Sequence, residues 1–240
     1  MNQPNYEANL KQWDKIDAYS AWIYSTYSCY IGKRVLDIGV GVGNMTKFYI
    51  DRPEIVICGD IVDSQLQFVK QRFINKNVQV ISFDIEKDNV DFLHEFNLDT
   101  VICINVLEHI EDDLKALKNM ASVCKKYGKI IIFVPACNKI YNHMDKNGGH
   151  YRRYDRGQIE SMAKKAGLKV LKQSYFNIFG IVPYVYKGWR KKSLNETFSS
   201  SLNETNSRIY NIASKVLSSI EKRVKIPIGL SEIIVLEKIS

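Results

Sequence analysis

Val35-Leu36-Asp37-Ile38-Gly39-Val40-Gly41-Val42-Gly43-Asn44-Met45-Thr46 is the stretch whose reading decides the fold. An apolar run ends in an acid, glycines follow at alternate positions, and a helical pattern starts beyond them. This is the pattern of a buried parallel strand, a tight turn and a helix start. Glycines so placed let the backbone approach a ligand that any Cβ would obstruct. The dinucleotide fingerprint G-x-G-x-x-G is not met. Counted from Gly39 its last position is Asn44, and counted from Gly41 it is Thr46. What remains is Asp-x-Gly-x-Gly-x-Gly.

Outward from this stretch, strands and helices alternate. Lys33 to Ile38 reads as the first strand and Asn44 to Ile50 as a helix. Val56 to Gly59 is a second strand, followed by a helix from Asp63 to Phe73 with Asp63 or Ser64 as N-cap. Val78 to Phe83 and Asp99 to Ile104 are strands three and four. A helix over Glu111 to Lys126 is expected to stop at Gly128, and Lys129 to Val134 is strand five. Arg156 to Ala166 is a helix, Lys169 to Tyr175 strand six and Ser231 to Lys238 strand seven. Such alternation argues for a parallel sheet with helices on both faces.

Composition sets the frame. The chain has 240 residues, 45% of them hydrophobic, enough for one α/β domain with a full core. No apolar run reaches the roughly 18 residues of a membrane span, and the N-terminus MNQPNYEANLKQW lacks an apolar signal core. A cytoplasmic location is the expectation. The cysteines form no C-x-x-C pair and His94, His109, His143 and His150 are scattered, so no metal is expected. The formal charge is +8, and much of it falls between Lys187 and Lys225. That cluster is either a solvated helical face or a surface for an anionic or membrane-associated partner.

Motif I of the class I S-adenosylmethionine (SAM)-dependent methyltransferases is what Asp37 to Gly43 resembles. The segment Cys103 to Asp113 is similar to the family's stretch after the fourth strand. A bacterial subgroup that accompanies glycosyltransferase or natural-product pathways matches further. It shares Trp22-Ile-Tyr24, Tyr30 to Leu36, Gly149-His-Tyr-Arg-Arg-Tyr154 and Gly229-Leu-Ser231. The resemblance implies an α/β Rossmann-like fold, a seven-stranded mostly parallel sheet of order 3-2-1-4-5-7-6. It also implies an N-terminal helical lid and an insertion between strands six and seven. The domain divides into a cap at 1–31, a SAM-binding core at 32–177 and 231–240, and the insertion at 178–230. Val40 and Val42 depart from the smaller or polar residues frequent in motif I, and both are expected to point away from the ligand.

In such a fold ligands lie at the carboxyl ends of the strands, where Asp37, Asp60 and Asp84 stand. SAM has a sulfonium and an amino acid group but no phosphate, so it tolerates this acidity better than a pyrophosphate would. Asp60 lies seventeen positions after Gly43, close to the spacing at which an acid bonds a ribose diol. Each charge-assisted hydrogen bond there contributes roughly 1.5–3 kcal/mol. Ile61 and Ile85 are placed against the adenine, and Asp84 is placed to accept its amino hydrogens. The resemblance puts Asn105 and Val106 beside the methionine half, and S-adenosylhomocysteine would be the product. Glu108 and His109 read as a helix-start cap pair.

Tyr141 to Asp155 follows strand five and so reaches the same rim. It holds His143, His150, Arg152, Arg153 and Tyr154, with Gly148-Gly149 as a hinge. Two chemistries fit. His150 or His143 could take the proton of a hydroxyl or amine acceptor. Alternatively, Arg152 or Arg153 could orient a carboxylate acceptor. Pairing of either arginine with Asp145 or Asp155 would instead only hold the loop. The aromatics between Tyr6 and Tyr30, Trp13 and Trp22 among them, are either an acceptor lid or core packing. In the insertion, the polar run Lys191 to Ser207 is expected to be flexible, while Phe179, Tyr184 and Trp189 supply apolar surface. That surface suits an amphiphilic acceptor, a membrane partner or a homodimer contact.

These readings converge on O-methylation of a small-molecule, sugar or peptide acceptor. The alternative is a non-catalytic SAM-binding regulator acting through the basic insertion. A nicotinamide-dependent reductase is disfavoured by the failed dinucleotide spacing. Nucleic acid is not the expected acceptor, because no aromatic-basic strand motif is present.

Overall fold

The apolar run before Asp37 is a strand because both of its faces are covered. Val35 and Leu36 are fully buried and point to opposite sides of the sheet, each into a different core. The computed structural model of the chain describes residues 16–190, 204–221, 223–224 and 226–239. Strands β1 (Arg34–Ile38), β2 (Ile55–Asp60), β3 (Val78–Ser82), β4 (Leu98–Ile104), β5 (Cys124–Pro135), β6 (Leu168–Phe176) and β7 (Ser231–Lys238) make one sheet. Their order is β3-β2-β1-β4-β5-β7-β6. β7 runs antiparallel to β5 and β6, and the other pairs are parallel. The expected order and the mostly parallel sheet are therefore those of the fold.

Helix α1 (Asp17–Tyr27) and helix α2 (Asp63–Arg72) cover one face with Trp22, Ile23, Leu66 and Val69. Helices α3 (Asp113–Val123) and α5 (Gln158–Lys165) cover the other with Leu117, Met120, Ile159 and Met162. Between those two lies the short α4 (His143–Gly148). The segment joining β6 to β7 contains α6 (Ile181–Trp189) and α7 (Glu204–Glu221). Tyr6, Trp13, Lys222, Lys225 and the part of the polar run at 191–203 lie outside the described residues.

Several local expectations are corrected. No α-helix forms over Asn44 to Ile50; a 3-10 turn, Thr46–Phe48, stands there. The Thr46 hydroxyl (2.7 Å) and the Tyr49 hydroxyl donate to the Asp37 carboxylate, and these bonds hold the segment in a turn. α2 is preceded by Val62, so Asp63 is a first-turn residue and neither Asp63 nor Ser64 is the N-cap. α3 starts from Asp112, whose carboxylate accepts the Lys115 N–H, and it ends at Val123. Gly128 is therefore not its stop but part of β5, where a Cβ would lie 2.4 Å from Cys124 Sγ. Residues 143–148 are helical, started by a capping box between Asn142 and Asp145. Gly148 ends that helix and Gly149, at φ 83°, caps it, so the pair forms a helix terminus and not a hinge.

Gly229 shows how tightly the insertion rejoins the sheet. A Cβ there would lie 2.5 Å from the Phe176 carbonyl oxygen and 2.7 Å from its nitrogen. Backbone cannot give way as a flexible side chain can. Gly229→Ala is expected to cost about 1–3 kcal/mol, the usual range for overpacking. Urea unfolding should show it, and an unchanged midpoint would contradict this packing.

Candidate active site

The carboxyl ends of β1, β2 and β4 open on a cavity of about 460 Å³. Its floor is the turn after β1. Gly39, Gly41 and Gly43 all take positive φ (64°, 56° and 77°), a region that side chains resist. The fold adds its own reasons for two of them. A Cβ on Gly39 would come within 2.3 Å of Val106 Cγ2, and one on Gly43 within 2.7 Å of the Phe73 ring. Gly39 and Gly41 line the cavity, whereas Gly43 does not. The expectation that Gly43 meets the ligand is thereby corrected: it makes room for Phe73. Val40 and Val42 are buried, and both still contribute to the lining.

Asp60 ends β2 directly beside this turn. Its Oδ2 accepts the Gly41 N–H at 2.9 Å and its Oδ1 accepts the Val62 N–H at 3.0 Å. Burial pushes the Asp60 carboxyl up and these backbone donors oppose the shift. Asp37 is more deeply enclosed. Burial raises it to about 6, against the pull of Tyr49 and Thr46.

The same cavity is lined by Ile61, Asp84, Ile85, Asn105 and Val106. Ile61 is 68% exposed on the rim, while Ile85 belongs to the core. Asp84 accepts the Glu86 N–H at 2.9 Å through Oδ1. Asn105 adopts φ 53° and donates its backbone N–H to Phe133 O at 2.8 Å. A ligand here meets carboxylates on three strand ends, and the turn after the glycines is not an α-helix. The cradle therefore lacks the row of free N–H groups at a helix start that a pyrophosphate would use. An adenosyl group bearing a cationic tail would fit this donor set: Asp60 would take the ribose diol, and Asp37 would face the positive charge.

The other end of the cavity is built by α4 and the loop behind it. Asp145 is 1% exposed and gathers four donors. They are the Asn142 N–H (3.0 Å), Arg153 (2.9 Å), the Tyr184 hydroxyl (2.6 Å) and His150 Nδ1 (3.0 Å). Burial alone would raise its carboxyl; His150, Arg153 and Tyr184 outweigh burial and hold it below the ordinary value. Glu108 also lines the cavity, with Oε2 buried and unpartnered among the described residues. Burial pushes it up to about 7. His109 sits edge-on to His150 at 4.7 Å, and burial together with that neighbour lowers it to about 4. The histidines are thus not all scattered. Donor atoms of Glu108, His109 and His150 lie within 4.8 Å of one another, close enough to hold a metal ion. Nor are Glu108 and His109 a cap pair: they form a 3-10 turn, Leu107–His109, facing the cavity.

His150 and Arg153 reach the cavity; His143, Arg152 and Tyr154 are not among its lining. The Arg153 guanidinium is consumed by Asp145, Ala136 O (2.8 Å) and Leu230 O (2.7 Å). Arg152 is taken by Asp113 (2.7 Å) and Glu111 O (2.7 Å). Tyr154 is fully buried, with its hydroxyl on Asp113 (3.0 Å) and Leu107 O (3.2 Å). These three therefore brace the loop by buried or tethered bonds; Arg153 pairs with Asp145 as the pairing alternative had it, whereas Arg152 pairs with Asp113 and not with Asp145 or Asp155. Tyr19, Ser20 and Ile23 of α1 also line the cavity, while Trp22 packs on Phe176. α1 thus lines the cavity with one set of side chains and packs into the core with another.

Comparison with known proteins agrees with this geometry. Residues 36–132 match the family described as methyltransferase domain. Over 158 residues the chain is 26% identical to the ubiquinone biosynthesis O-methyltransferase of Coxiella burnetii, covering 58% of this chain and 65% of that protein. The chain thus spans 65% of the length of these curated relatives. A shorter match, 30% over 105 residues, is to ribosomal RNA small subunit methyltransferase A of Mesomycoplasma hyopneumoniae, with 42% and 37% of the two chains covered. Among solved structures, a SAM-dependent methyltransferase of Archaeoglobus fulgidus superposes with TM-score 0.58 at 17% identity, covering 91% and 92% of the two chains. The magnesium protoporphyrin IX methyltransferase of Synechocystis PCC 6803, with S-adenosylhomocysteine bound, gives 0.55 at 14%, covering 99% and 88%. The [4+2]-cyclase SpnF gives 0.58 at 13%, covering 93% and 80%, so the fold by itself does not dictate the reaction.

For SAM, the cofactor that the resemblance of Asp37 to Gly43 implies, the cradle makes two predictions. Asp60→Ala should weaken SAM at least tenfold, a factor worth ~1.4 kcal/mol. Calorimetry showing unchanged affinity would remove Asp60 from the site. A cation bound beside Asp37 favours its ionised form, so affinity should fall as pH drops through about 6, where Asp37 takes up its proton. Asp37→Asn should flatten that dependence, and a flat wild-type profile would contradict it. Residues 36–132 match the methyltransferase-domain family, and the strand order around them is that of the Rossmann-like methyltransferase fold.

Proposed function

We propose that the protein is a SAM-dependent O-methyltransferase acting on a hydroxyl, with His150 as the base. The observation that carries this reading is the Asp145–His150 hydrogen bond at 3.0 Å inside the cavity wall. An anionic Asp145 accepting from Nδ1–H keeps the proton on that nitrogen and leaves the Nε2 lone pair for an acceptor. Arg153 and Tyr184 hold Asp145 in place and anionic. SAM supplies a methyl already activated on a sulfonium. What remains for the chain is to orient the acceptor oxygen, exclude water and remove one proton. As the oxygen takes the methyl, its proton passes to His150.

The engaged guanidiniums of Arg152 and Arg153 count against a carboxylate acceptor, since neither has a free fork to offer. Facing Glu108, Asp145 and His150, the acceptor end has an apolar side, with Ile23, Met144, Tyr184 and Leu230 in the wall. A small natural product with aromatic or aliphatic surface suits it better than a bare sugar. That the Coxiella burnetii relative is named an O-methyltransferase agrees with transfer to oxygen.

Incubation with methyl-labelled SAM and a small-molecule extract of the native cell tests this. The label should enter an ether, stable to alkali. His150→Ala should lose about a hundredfold or more of the rate, the usual contribution of a general base, with S-adenosylhomocysteine affinity kept. Label in an alkali-labile ester, with turnover surviving in His150→Ala and lost in Arg152→Ala, would overturn the proposal in favour of a carboxylate.

A further inference from the structure

α6 is an apolar helix with little to bury against. Seven of its nine residues, IVPYVYKGW, are apolar or aromatic, yet Tyr184 alone is buried. Val182 is 75% exposed and Trp189 88%. A helix apolar on all sides normally lies inside a protein or against another apolar phase. α7 repeats the pattern in another form. Ile209, Ile212 and Val216 follow helical spacing and are all exposed, while Tyr210 and Leu217 pack towards α1. Both helices are tethered, α6 through the Tyr184 hydroxyl on Asp145 and α7 by the bonds that follow. The Ala18 N–H of α1 donates to Asn211 Oδ1 at 3.0 Å, and Glu221 accepts the N–H groups of Asn177 and Ile178 at 2.9 and 2.8 Å.

The charge of this region selects what covers these stripes. Residues 178–230 carry nine Lys and Arg against three Glu, a net +6 of the chain's +8. Lys187 and Arg190 close α6, Arg190 lying over the Tyr186 ring at 5.5 Å, and Arg208 and Lys215 lie on α7. Exposed Trp and aliphatic side chains beside lysines and arginines are what an anionic lipid surface binds. The rings and aliphatic groups enter the headgroup region, and the cations meet the phosphates. A second copy of the chain would set +6 against +6 and be repelled. No helix among the described residues is long and apolar enough to cross a membrane, so contact would be at the surface.

We propose that α6 and α7 form a docking surface for anionic lipid bilayers. The proposal goes beyond the reading of the cavity and does not rest on it. It does give the cavity a setting. Tyr184 and Tyr210, from the inner faces of the two helices, line it, and Tyr184 donates to Asp145. Docking therefore brings the acceptor end of the cavity to molecules carried in or on the bilayer, through the helix that holds the His150 partner.

Cosedimentation of the full chain with phosphatidylcholine vesicles, with and without phosphatidylglycerol, tests this. Binding should require phosphatidylglycerol and weaken as salt is raised. The double variant Val182→Glu, Trp189→Glu should partition about tenfold more weakly or worse, since it places two charges at the apolar contact. Both side chains are exposed, so its fold and S-adenosylhomocysteine affinity should be unchanged. Absence of binding to phosphatidylglycerol vesicles at low salt, or equal binding by the double variant, would overturn the proposal. So would sedimentation velocity showing a dimer that the double variant dissolves, which would assign the face to a second copy.

Discussion

The carboxylate of Asp60 accepts the backbone N–H of Gly41 across 2.9 Å, and the rest of the site is organised around that bond. It ties the end of β2 to the turn after β1. It can form only because the turn runs through left-handed φ at Gly39, Gly41 and Gly43. Gly39 must also be bare for Val106 to reach it, so the β4 end is locked to the same turn. Asp37 completes the arrangement from below, drawing Thr46 and Tyr49 inward so that no helix follows the glycines. The result is a cradle acidic on one side and free of helix-start donors. That chemistry suits a cationic nucleoside and not a pyrophosphate.

At the opposite end of the cavity Asp145 plays the corresponding part. One buried carboxylate collects a helix start, an arginine, a tyrosine from the insertion and a histidine. An unpaired carboxylate at such a place would be costly, and so would a lone buried arginine. Each is accepted because the other is there. The same group thus shapes α4, anchors α6 and orients His150. Nearby, Glu108 is buried with one oxygen unpartnered among the described residues, its proton retained to about pH 7.

Much of the fold was legible because the β1, β4 and β5 strands are apolar runs buried on both faces, and such runs bear their own signature. Asp60 was legible from its distance to the glycines, a spacing dictated by one β-α-β unit. The failures share a cause. The turn at Thr46 to Phe48 depends on bonds to Asp37, and Arg153 on carbonyls of Ala136 and Leu230, the latter 77 positions away. His109 and His150 are 41 positions apart and meet only because Gly149 turns the chain back. Local pattern does not carry such contacts. One local signal does mark α4 within the Tyr141 to Asp155 segment: Asn142 and Asp145 have capping-box spacing. Glu108 and His109 read as a helix start by local pattern, yet Leu107 and Ile110 bury that segment as a 3-10 turn facing the cavity.

The central claim is that the glycine turn and Asp60 together cradle a sulfonium nucleoside. The most direct measurement is a crystal structure of the protein grown with S-adenosylhomocysteine. The account predicts the ribose hydroxyls on the Asp60 carboxylate and the nucleoside lying over Gly39 and Gly41. An empty crevice under saturating ligand, or a dinucleotide filling it in competition, would contradict the account.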